Sequence, residues 1–151
     1  MIKIFVSVIV VIIAIACNSN SGTFDSEEQQ NNSSISKTLS DSLYKAAMEG
    51  HDAGMVKMGE IVRYQKLVKQ QIDSVADLKN KVKLQPPLDS ALQGLQYAEE
   101  MMNRWMQDFD PNKAGSTEAE KVSFYSREKE KIDTVNARIF QSIAYAKQVV
   151  Q

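Results

Sequence analysis

The chain has 151 residues, 43% hydrophobic, 7% aromatic and 25% charged, with six glycines, three prolines and one cysteine. Those proportions exclude a collagen, a disulfide scaffold and a wholly disordered chain. Eighteen Lys and Arg against nineteen Asp and Glu leave a net charge of −1, and the sequence pI is about 5.9, so there is no electrostatic footprint for nucleic acid.

The chain opens Met1-Ile2-Lys3, a short positive start, and Ile4 to Ala16 is then almost wholly apolar. That run suits the hydrophobic region of a signal peptide, whereas a transmembrane helix needs roughly twenty residues. It ends Ala14-Ile15-Ala16-Cys17, and Cys17 is the only cysteine. Small residues before a lone cysteine, directly after such a run, resemble the lipobox of bacterial lipoproteins. The resemblance implies removal of residues 1–16, a diacylglyceryl group on the Cys17 thiol and acylation of the new amine. Two or three acyl chains hold stably where one does not, at about 0.8 kcal/mol per buried CH₂. The alternative is an unpaired thiol in an uncleaved anchor, but that anchor is too short to span. Loss of Lys3 leaves seventeen basic groups against nineteen acidic ones, a net of −2. A lipidated Cys17 leaves no free thiol, which excludes disulfides and thiolate metal sites. Asn18 stands where an Asp would suggest inner-membrane retention in the enterobacterial sorting pattern. By that analogy the expected place is the cell envelope, lipid-anchored in the outer membrane and facing the periplasm.

Asn18 to Ser34 is polar with one aromatic, and it cannot bury enough apolar surface to offset its ordering entropy. Residues 17–35 therefore read as a lipidated cysteine with a disordered, flexible tether. Asp25, Glu27 and Glu28 form a small acidic cluster in it, read as solvated linker rather than an export signal.

Residues 36–151 read as helical. Ser36 or Ser40 is expected to cap the first turn. Leu39, Leu43, Ala47, Gly50 and Gly54 form one stripe, and Tyr44, Met48, His51, Met55, Met58 and Val62 form its neighbour. The pattern continues to Val82, and Pro86-Pro87 is expected to end it. A second helix starts near Pro87 or Asp89, carrying Ala91, Leu95, Ala98, Met102, Trp105, Met106 and Phe109 on one face, and stops at Asp110-Pro111-Asn112. Thr117-Glu118-Ala119-Glu120 is a capping box for a third helix, with Val122, Tyr125, Ile132, Val135, Ile139, Ile143 and Ala146 on its inner stripe. The expected fold is all-α: an antiparallel three-helix bundle with a long first helix, or four helices if the first one breaks. Charged pairs such as Glu128 with Lys131 are expected on the outer faces.

Six methionines follow Cys17. Met48, Met55 and Met58 fall in an eleven-residue window with the only histidine, His51. Met101, Met102 and Met106 fall in a six-residue window with the only tryptophan, Trp105. At about 100° per residue, His51, Met55 and Met58 form one column, and Met102 and Met106 another beside Trp105. Facing columns would offer an imidazole and up to four thioethers, a donor set for Cu(I) and not for hard cations. An indole face beside the ion would add cation–π attraction. The competing reading is packing, because Met fills helical cores and stacks on aromatics. Register bears on the choice. A first helix running to Lys83 sets Met106 opposite Lys66, about 12 Å from Met58, whereas one ending near Leu78 sets it opposite Gly59.

His51-Asp52-x-x-Met55-x-Lys57-Met58-Gly59-x-Ile61 and Met101-Met102-x-x-Trp105-Met106-x-x-Phe109-x-Pro111 resemble two motifs of a group of Bacteroidetes-type lipoproteins labelled "viral A-type inclusion protein". The resemblance implies a small helical lipoprotein and brings no activity or substrate. An enzyme is not expected. One histidine assembles no Ser/His/Asp set, and there is no phosphate-binding glycine loop, no H-E-x-x-H and no mature cysteine nucleophile. Two function classes stand. One is an envelope protein binding Cu(I) through His51, Met55, Met58, Met102 and Met106 with Trp105 adjacent. The other is a structural or partner-binding lipoprotein whose Met/Trp stripe is core. For the second, a first helix of nearly fifty residues would overhang the second and need a protein partner, a homodimer mate or a fold-back.

Overall fold

The computed structural model describes residues 37–151. The signal segment, Cys17, the tether and Ser36 lie outside the described residues. Three long helices make up the rest: α1 (Leu39–Val75), α2 (Lys81–Asp108) and α3 (Glu118–Val149), with a 3-10 turn at Pro111–Ala114 between the last two. There is no strand among the described residues. The fold is the expected three-helix bundle, with α1 unbroken.

The sequence makes these helices by a seven-residue repeat. In α1 the buried residues Ala47, Gly54, Ile61, Val68 and Val75 stand seven apart. In α2, Leu88, Ala91, Leu95, Ala98, Met102 and Trp105 alternate spacings of three and four. In α3, Ile132, Val135, Ile139, Ile143 and Ala146 do nearly the same. Such repeats keep one stripe facing its partners along the full helix length. Ile61, Val68, Leu95, Met102, Ile132 and Ile139 are fully buried where the three stripes meet.

Contacts between the helices fix their directions. Tyr44 stacks on Phe109, His51 on Trp105, and Gln65 Nε2 donates to Glu99 Oε2 at 2.7 Å, so α2 runs antiparallel to α1. Ser40 meets Glu118, Asn136 Nδ2 donates to the Gly50 carbonyl at 2.7 Å, and Lys147 reaches Glu60 at 3.2 Å, so α3 runs parallel to α1. At the end where α1 and α3 begin, Tyr44, Phe109, Phe124 and Tyr125 pack ring against ring.

Both capping boxes are local. Thr38 accepts from the Asp41 amide while Asp41 accepts from the Thr38 amide, and Thr117 and Glu120 do the same for α3. Gly115, at φ +87°, makes the left-handed turn into α3, where a Cβ would meet the Glu120 side chain.

Four expectations need correction. The α1 cap is Thr38, not Ser36 or Ser40. Ser40 is buried inside the helix, where its amide and hydroxyl both donate to Glu118, at 3.0 and 2.8 Å. The first helix does not run to Pro86. It ends at Val75, and a five-residue link at 76–80 folds the chain back. Pro86 and Pro87 lie inside α2, one turn from its start. Their missing N–H groups deprive the carbonyls of Val82 and Lys83, two exposed residues where water can serve instead. With 37 residues in α1 and 28 in α2, no long overhang of α1 is left to demand a partner. Finally, Glu128 is not on an outer face: it is 5% exposed, at a core position of α3.

Candidate functional site

The α1/α2 seam brings the two methionine windows together. The His51 and Trp105 rings stack with centroids 5.5 Å apart and planes 28° apart. One turn further along, the Met102 methyl sits against the backbone of Gly54, in the space a Cβ would take. Because α2 starts at Lys81, its register sets Met106 at the level of Gly50 rather than Gly59 or Lys66.

The candidate ligands are thereby sorted by depth. Met102 is fully buried, Met55 is 40% and Met106 38% exposed, and the His51 side chain is 19% exposed. Met55 follows the buried Gly54 and Met106 follows the buried Trp105, so both flank the buried stripes. Met58 stands two turns beyond His51, partly buried against the core and near the level of Ala98. The structure thus sets His51 against Trp105 and Met102 against Gly54, with Met55 and Met106 at the positions next to these in the two helices and Met58 farther on.

The imidazole is oriented. His51 Nδ1 lies 3.0 Å from Asp52 Oδ1. An ionised carboxylate only accepts, so Nδ1 carries the proton and the neutral ring keeps its lone pair on Nε2. A carboxylate on the far nitrogen is the common arrangement for a metal-binding histidine. Among the described residues, no three His, Cys, Asp or Glu side chains gather as a metal site, so any ion in this seam would depend on thioether.

The opposite side of Trp105 belongs to a second feature, which sequence reasoning missed. A groove of about 560 Å³ runs between α2 and α3, and both Trp105 and Glu128 line it. Glu128 Oε1 accepts from Lys131 at 2.7 Å, but Glu128 Oε2 is buried with no hydrogen-bond partner, and so is Trp105 Nε1. A buried polar group left unpaired costs about 1–3 kcal/mol. The signal for Glu128 was a gap: counting back by four and seven from Ile132 and Val135 lands on it, a carboxylate in an apolar stripe. A third unpaired atom, Asn136 Oδ1, is pressed toward Gly54 by the bond its amide makes to Gly50.

No family model, no curated protein and no solved structure matches this sequence. Among the described residues, no helix is long and apolar enough to cross a membrane.

Proposed function

We propose that this chain is a lipid-anchored protein of the bacterial cell envelope whose helical bundle binds Cu(I) at the α1/α2 seam. Anchoring rests on the apolar run Ile4–Ala16 and the Ala14-Ile15-Ala16-Cys17 sequence at its end. The likeness of the two Met-rich motifs to small Bacteroidetes-type lipoproteins points the same way. In this reading the membrane is reached through the lipid on Cys17, and the outer membrane is the expected site.

The observation that carries the copper reading is the His51–Trp105 stack, which joins the two methionine windows at one level. His51 Nε2 and the thioethers of Met55, Met102 and Met106 would be the ligands, with Trp105 adjacent and Met58 outside the set. Asp52 would hold the imidazole in the tautomer that binds metal. The soft donor set favours Cu(I) over hard cations. The role is capture of an ion, not catalysis. Titrating the protein with Cu(I) against a chelator tests it: one tightly held ion per chain is expected, and Met55→Leu or Met102→Leu should weaken it.

The second reading is a structural or partner-binding lipoprotein. One observation favours it: Met55 and Val62 are 40% and 55% exposed, seven residues apart on one face of α1. An apolar stripe of that kind suits a protein partner or a second copy.

A further inference from the structure

The described residues hold six sulfur atoms, all of them methionine thioethers. The bundle sorts them by access to solvent. Met55 is 40% and Met106 38% exposed, Met48, Met58 and Met101 are partly buried against the core, and Met102 is fully buried. The two exposed methionines adjoin the residues that close the α1/α2 seam: Met55 follows Gly54, and Met106 follows Trp105.

An exposed thioether is open to two-electron oxidants such as hydrogen peroxide. The sulfur gives an electron pair to one peroxide oxygen, the O–O bond breaks and an S=O bond forms. The departing hydroxide takes the proton of the transferred oxygen and leaves as water. The product, methionine sulfoxide, is reversible: a reductase with two thiols removes the oxygen as water, leaving the thioether and a disulfide.

Depth decides what the added oxygen does to the fold. At Met55 and Met106 solvent can hydrogen-bond it, so the helices keep their packing. At Met102 there is no space for it, because the methyl already occupies the position of a Cβ on Gly54. A polar group buried there without a partner would be strongly unfavourable. Oxidant therefore reaches Met102 only when the bundle opens.

We propose that Met55 and Met106 are reversible oxidation sites through which peroxide switches off copper capture in the folded bundle, with Met102 protected. In the copper reading, on which this rests, oxidation removes two of three thioethers and leaves His51 and Met102. A sulfoxide presents oxygen in place of the soft sulfur donor that Cu(I) favours, so the ion is held less tightly.

The test treats the copper-free full chain with hydrogen peroxide, stops the reaction with catalase and maps the added oxygen by peptide mass spectrometry. Met55 and Met106 should be oxidised severalfold faster than Met102, with the helical circular dichroism retained. Denaturant should speed oxidation of Met102 far more than that of the other two. Cu(I) affinity should fall severalfold in the oxidised protein and return after repair by two methionine sulfoxide reductases, one for each epimer. Met55→Leu/Met106→Leu should bind Cu(I) as weakly as the oxidised wild type and lose no more on treatment. Oxidation of Met102 at the pace of Met55 and Met106 overturns the inference, as does unfolding that accompanies oxidation of those two. Unchanged Cu(I) affinity after their oxidation also overturns it, while leaving the copper reading standing. Absence of Cu(I) uptake by the untreated protein overturns the copper reading and the inference together.

Discussion

The Met102 methyl fills the space that a side chain at residue 54 would need: a Cβ on Gly54 would overlap it and Asn136 Oδ1 together. Two helix contacts therefore close on one glycine, α2 through Met102 and α3 through Asn136. Gly50, one turn earlier, is a second point of close approach, where a Cβ would lie 2.9 Å from Ile132 Cγ2.

This contrast gives a paired prediction. Gly54→Ala should destabilise the bundle even though Ala is favoured over Gly in a helix by about 1 kcal/mol. Gly59→Ala should stabilise it by about 0.5–1 kcal/mol, because nothing lies within 4 Å of a Cβ there. Urea unfolding of both variants checks the opposite signs.

Trp105 is the largest side chain in the seam, stacked on both His51 and Phe109 at 5% exposure. Trp105→Ala should cost about 3–5 kcal/mol, as for other buried aromatics cut to alanine. A loss below about 1 kcal/mol by denaturant unfolding would contradict the packing described.

The polar ties at the helix starts predict how stability responds to pH. The amide and hydroxyl of Ser40 hold the Glu118 carboxyl below the ordinary glutamate value of 4.5. Thr117 does the same for Glu120, as Lys57 and Lys147 do for Glu60. A depressed carboxylate stabilises the fold above its unfolded-state value and loses that contribution as pH falls through its folded-state value. Stability should therefore be flat from about pH 5 to neutrality and fall below about pH 4.5. Glu118→Gln should be less stable at neutral pH and lose less on acidification, as followed by thermal melts across pH.

The helical architecture is legible because the seven-residue apolar stripes of α1, α2 and α3 are local, and so is the Thr117–Glu120 capping box. The α1/α2 boundary is not: Pro86-Pro87 is the strongest breaker in the sequence, yet the chain turns at 76–80 and accommodates both prolines in α2. That shift alone moves Met106 along α1 to the level of Gly50. Ser40 reads as a cap and Glu128 as an outer-face charge in sequence, because burial of either depends on how the helices pack. Ser40 is paired 78 residues away and Asn136 86 residues away. The pairing of His51 with Trp105 likewise depends on register, which composition does not carry.

The lipid anchor is tested in cells. Metabolic labelling with a fatty acid should tag the wild type and leave Cys17→Ser unlabelled and uncleaved. Equal labelling of both would exclude attachment at Cys17.

The most direct test of the central claim is Cu(I) competition against a chelator of known affinity, read by stoichiometry and by Trp105 fluorescence. One Cu(I) per chain should bind, tighter than about micromolar at neutral pH. Binding should perturb the indole emission, since Trp105 touches His51. Affinity should fall on acidification, because imidazole binds metal only after losing its proton while thioether is neutral throughout. Met55→Leu and Met102→Leu conserve volume, so each should change stability by less than about 1.5 kcal/mol while lowering copper affinity. Binding weaker than micromolar, with both variants indistinguishable from wild type, would contradict the claim and leave the Met/Trp seam as packing in a partner-binding lipoprotein.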